Sequence, residues 1–149
     1  MTHDILLVHA ATTLLLTAVM WTVQVWLVPR LAGATEATWP HHAVRHRRVF
    51  RWLFWPLVLV EAASGFGIAI LQPAGIPAWL HVLNLALILA AWCTTIVIRV
   101  RMGHGPAARY NPDAFHHYAR LNWIRVAVWT GRSVIVAAML HLAAAATPP

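Results

Sequence analysis

Four stretches of nearly unbroken apolar residues dominate the chain, at 5–28, 52–71, 78–98 and 123–146. Each supplies about the 20 helical residues that a hydrocarbon core requires, so the pattern predicts four transmembrane helices. The segment 72–77, Gln-Pro-Ala-Gly-Ile-Pro, is a tight turn by its prolines and glycine. The other two connections run long. Pro40 and Pro112 are placed as helix starters, the latter after Asn111, which can cap. The second and fourth helices are therefore expected to extend beyond the bilayer on one side. Pro56 should kink the second, and Ala63 with Gly67, or Gly65 with Ala69, would allow close helix approach. The expected fold is all-α: one domain over 1–149, an integral membrane antiparallel four-helix bundle.

Composition narrows the classes further. Of 149 residues, 60% are hydrophobic and 10% charged, against about 25% charged in a soluble domain. A disordered chain, a coiled coil and a polar nucleic-acid module are excluded. The formal net charge of +7 comes with eleven basic residues, all arginine, and their placement reads as topology. Arg30, Arg45, Arg47, Arg48 and Arg51 lie between spans one and two, and Arg99, Arg101, Arg109, Arg120 and Arg125 in or beside the connection of spans three and four. The positive-inside rule puts both connections in the cytoplasm and the 72–77 turn and both termini outside, an N-out, C-out protein. No basic residue precedes the first span, so it is expected to stay attached and not to act as a cleaved signal. Trp26, Trp39, Trp52, Trp55 and Trp123 mark the cytoplasmic boundary and Trp79 the outer one. With Cys93 as the single cysteine, a bound metal would rely on histidine.

Ionisable residues inside apolar spans are expensive and are functional candidates by default. Glu61 and Arg132 each lie ten residues beyond a boundary residue, Arg51 and Asn122, hence both about 15 Å into the membrane. Equal depth permits an ion pair, structural in one reading and a proton relay at Glu61 in the other. On span four, Tyr118, Asn122, Arg125, Trp129 and Arg132 are spaced four, three, four and three, which lines one helix face. His9, Thr13, Met20 and Gln24 form a similar stripe on span one. The two stripes either line one polar cavity or hydrogen-bond to each other between helices. His42 and His46 share a face at the cytoplasmic start of the second helix, and the other hairpin brings His116 and His117 to the same side. These imidazoles could ligate Zn, Cu or Fe, or a haem; alternatively they bind phosphate headgroups beside the arginines. His9, His81 and His141 form a second candidate cluster toward the outer face. His41-His42-x-x-Arg45 recurs as His116-His117-x-x-Arg120 half a chain later, either a parallel internal repeat or a coincidence.

The run Trp21, Gln24, Trp26, Pro29-Arg30-Leu31 resembles the entry motif of the small membrane protoporphyrinogen oxidases of haem synthesis, and the likeness continues through His46-Arg47-Arg48, Trp79-Leu80-His81 and Arg120-Leu121-Asn122. Thr35 and Leu83 stand where that family has a histidine and a lysine. Gln24-Val25, Pro29, His42, His46, Arg48, Glu61, Asn122-Trp123, Arg125, Trp129 and Arg132 also look like a group of four-span bacterial inner-membrane proteins without a known reaction. The resemblance implies a bacterial inner membrane. The leading expectation is a redox protein that binds haem or a His-ligated metal near the cytoplasmic face and acts on an apolar or porphyrin-like substrate. In it His42, His46 and His116 or His117 ligate, Arg125 holds an acidic substrate or propionate, and Gln24 with Asn122 orient it. Trp129 and Tyr118 complete the pocket; Glu61 and Arg132 serve as catalytic candidates. The alternatives are a non-catalytic membrane subunit or a module for anionic lipid headgroups, and a small transporter working as a homodimer or larger complex.

Overall fold

In the computed structural model, residues 2–101 and 112–146 are described, except for the side chains of 43, 45–47, 49–50, 99–101 and 112–115. All regular structure among them is helical. Helix α1 is Thr2–Ala32, α2 spans 39–71, α3 is Ala78–Arg101 and α4 is Pro112–Ala145. Each contains a stretch long and apolar enough to cross a membrane. The second and fourth helices extend well past their apolar stretches, as the prolines at 40 and 112 led us to expect; Asn111 lies outside the described residues. The first begins at Thr2 and runs past Val28 to Ala32, longer than its apolar run.

Two of the helices contain a π-helical turn, Val23–Leu27 in α1 and Phe50–Phe54 in α2. In each, a proline follows the turn by two residues, Pro29 and Pro56. Within an unbroken α-helix a proline lacks the N–H for the bond to residue i−4, and its ring collides with that carbonyl, here of Val25 or Trp52. One wider turn just before the proline moves the carbonyl away and lets the helix continue. Pro56 is accommodated in this way, inside a helix that runs on to Leu71. The 72–77 turn begins with Gln72 in the left-handed region (φ 42°), its N–H donating to the Ile68 carbonyl at 2.9 Å. Gly75 (φ 82°) then lies against Ala146 and the Leu142 carbonyl at the end of α4, where a β-carbon would not fit.

Helix α1 packs against α2 and α4, and α3 against the same two. Gln24 meets Asn122 and Thr17 meets Ser133, so α1 and α4 run in opposite senses. Gly65, one of the small residues expected at an interface, faces the His9 ring and Ile88, whereas Ala63 is exposed.

The interior is layered along the helices. At one end Leu6, Ile68, Leu80 and Met139 form an apolar cluster; Leu16, Met20, Phe54, Val58, Val126 and Trp129 form a second; Val23, Val28, Leu31, Trp39, Ile98 and Tyr118 form a third. Polar residues occupy the two gaps. His9, Glu61, Ser64, Asn84 and Arg132 lie between the first and second clusters by their order along every helix, and Asn122 and Arg125 between the second and third, with Gln24 beside them next to Val23 at the edge of the third. The outward faces carry exposed apolar side chains such as Leu14, Leu59, Ile70, Val82 and Val134, the inverse of a water-soluble bundle.

Candidate functional site

The first polar layer is built around an ion pair. Glu61 on α2 and Arg132 on α4 are both fully buried and in direct contact, the pairing that their matched depth predicted. His9 on α1 lies 3.9 Å from the same carboxylate. Its Nδ1 is 3.2 Å from the Glu61 carbonyl and 3.1 Å from the Ser64 hydroxyl, which itself donates to that carbonyl at 3.0 Å. Since the carbonyl only accepts and the Ser64 proton is already committed, Nδ1 carries the hydrogen. Nε2 then accepts from the Asn84 amide at 3.2 Å. All four helices contribute to the layer, and its charges cancel. Ser64 and Asn84 were not singled out in the sequence; Asn84 is the one side-chain amide of the third span, which is the signal that could have found it.

The second polar layer is a chain of donors with a fixed direction. Arg125 Nη1 donates to Asn122 Oδ1 at 3.4 Å, Asn122 Nδ2 to Gln24 Oε1 at 2.7 Å, and Gln24 Nε2 to the Ala119 carbonyl at 3.5 Å. A guanidinium only donates and a backbone carbonyl only accepts, so the two ends dictate how both amides are turned. The Tyr118 hydroxyl shares the site with Arg125, and the Phe54 ring centroid lies 5.7 Å from its Cζ. Gln24 and Phe54 both come from π-helical turns. The π-helical turns that precede Pro29 and Pro56 thus help to set the geometry around Arg125.

Arg125 Nε and Nη2 are buried without a hydrogen-bond partner, and, unlike Arg132, Arg125 has no carboxylate paired with it among the described residues. The chain has four acids. Glu61 is taken by Arg132 and Glu36 is exposed. Asp4 belongs to the far end of α1, and Asp113 stands twelve positions away on α4, about 18 Å along the helix. A cation this deeply buried is expensive unless an anion meets it.

Of the face predicted on span four, Tyr118, Asn122, Arg125, Trp129 and Arg132 are all buried. Trp129 sits in the apolar cluster between the layers, its ring centroid 4.6 Å from Arg132 Cζ. His116 and His117 are exposed, His42 is half-buried with its ring against His41, and the His46 side chain lies outside the described residues. In the outer candidate cluster His9 and His81 are buried while His141 is exposed. Among the described residues no group of three or more His, Cys, Asp or Glu side chains is placed to hold a metal ion, and the only imidazole in the two polar layers, His9, is occupied by Ser64 and Asn84. Comparison with family models, curated proteins and solved structures finds no match to this chain.

Proposed function

We propose that this chain is a multi-pass protein of the bacterial inner membrane that holds the anionic group of an apolar small molecule at Arg125. The reading rests on one observation: a buried guanidinium, beside the Tyr118 hydroxyl, whose Nε and Nη2 have no hydrogen-bond partner and which has no carboxylate beside it among the described residues, embedded between apolar layers. Charge-assisted hydrogen bonds to such a group are short and strong where water is excluded. The four helices form an antiparallel bundle, N-out and C-out, with the arginine-rich connections in the cytoplasm. Arg125 then lies in the cytoplasmic half and the Glu61–Arg132 layer about 10 Å farther out. Exposed Arg30, Arg48 and Arg51 would meet anionic lipid headgroups at the near surface. Arg30 stacks on Trp26 with 3.8 Å from Cζ to the ring centroid, an arrangement suited to that boundary.

The test is chemical identification of what the protein carries. Protein purified in mild detergent should release an anionic amphiphile into organic solvent in stoichiometric amount, detected by negative-ion mass spectrometry, and Arg125→Met should release none. Equal recovery from both proteins would refute the assignment to Arg125.

A further inference from the structure

The free atoms of Arg125 specify more than charge. Nε and Nη2 lie on one edge of the guanidinium and point their hydrogens in parallel, while Nη1, on the other side, is spent on Asn122. A two-pronged donor edge of this kind matches the two coplanar oxygens of a carboxylate. Resting on the reading of Arg125 as an anion site, we infer that the group it takes is the carboxylate of a single-chain amphiphile, bound side-on by Nε and Nη2.

Charge balance points the same way. The other groups of the layer, Gln24, Asn122 and Tyr118, are uncharged, and the Glu61–Arg132 pair is self-compensating. One monoanion therefore neutralises the layer. A phosphate monoester, at about −1.5 to −2, would leave excess negative charge in a low dielectric. Arg125 keeps only 4% of its surface exposed and Nε and Nη2 are themselves buried, so an anion paired with them would be held out of water. On either side of Arg125 the layers are apolar, with Val23, Val28 and Tyr118 below and Phe54, Val126 and Trp129 above, which favours a hydrocarbon tail over a small water-soluble acid. Gln24 and Asn122 act as positioning residues, since their directed chain to the Ala119 carbonyl holds Nη1 and so fixes the orientation of the guanidinium, leaving Nε and Nη2 for the ligand.

The experiment measures saturable binding to the full chain in detergent, using dodecanoate, dodecyl phosphate, phosphatidylglycerol, acetate and dodecyltrimethylammonium, at a pH where the carboxylate is ionised. Dodecanoate should bind, the cationic amphiphile should not, and both phosphate probes and acetate should bind about tenfold more weakly or worse. Arg125→Lys keeps the charge and removes the fork, so dodecanoate affinity should fall by about tenfold or more. Asn122→Asp supplies an internal carboxylate beside Nη1 and is expected to fold even if Arg125→Lys does not; it should abolish dodecanoate binding. If either phosphate probe binds as tightly as dodecanoate, or if Arg125→Lys stays within about threefold of wild type, the carboxylate assignment fails while the anion site stands. Acetate binding as tightly as dodecanoate would overturn the single-chain amphiphile. Retained dodecanoate affinity in Asn122→Asp would remove the site from Arg125, and no saturable binding of any anion would sink both this inference and the reading beneath it.

Discussion

Arg132 and Arg125 lie two helical turns apart on the same face of α4 and are both buried, yet they do opposite things. Arg132 meets Glu61, the one fully buried acid among the described residues, so its charge is settled inside the protein. Truncating one partner of such a pair strands the other, which typically costs about 3–5 kcal/mol, whereas replacing both with apolar side chains is often neutral. Glu61→Gln should therefore destabilise strongly, and Glu61→Gln combined with Arg132→Met should recover most of the loss, as read by reversible unfolding in detergent. Additive losses in the double variant would show that the two side chains do not depend on each other. The pair was legible in the sequence because equal distance from a boundary residue is equal depth. His9 was visible as a polar residue in an apolar span, but its partners were not. Contact with Ser64 and Asn84 depends on which faces of α2 and α3 turn toward α1, and periodicity within one helix does not carry that information.

Between elements, polar contacts tie α1 to α4 as well as apolar ones. The Thr17 hydroxyl lies 2.7 Å from that of Ser133 and 3.0 Å from the Trp129 carbonyl. In a bilayer, hydrogen bonds of this kind are worth about 0.6 kcal/mol, because the separated helices also find partners. A double-mutant cycle of Thr17→Val and Ser133→Ala should return a coupling of about that size; a value above about 2 kcal/mol would mean the contact does far more than register the helices. The stripe of Tyr118, Asn122, Arg125, Trp129 and Arg132 was readable from spacing alone, since only one face of α4 can point inward. The same period explains the placement of two of the histidines expected as ligands. With Tyr118 inside, His116 and His117 fall away from that face and are exposed. The π-helical turns were not readable. Pro56 signalled an irregularity, but whether a proline kinks a helix or is absorbed by a wider turn is decided by packing on both sides of it.

For the whole molecule, the apolar exterior was implied by composition while the alternation of apolar and polar layers was not, and the arginine distribution adds a direction that four helices by themselves lack. Cysteines introduced as Gln72→Cys and as Thr35→Cys, in a Cys93→Ser background, should divide accordingly. A membrane-impermeant thiol reagent added to intact cells should label the first and spare the second until the membrane is opened. Labelling of Thr35→Cys alone would invert the orientation.

At the same scale, function is drawn from a stability sacrifice: a buried cation that the fold does not compensate is retained for something outside the chain to neutralise. The most direct measurement is the unfolding free energy of Arg125→Met in ligand-free protein, beside wild type. If the guanidinium is stranded, replacing it with an apolar side chain of similar length should stabilise the ligand-free protein by about 1–4 kcal/mol, and added dodecanoate should then stabilise wild type but not the variant. A ligand-free Arg125→Met less stable than wild type would show that Arg125 is already satisfied within the chain, and would contradict the account.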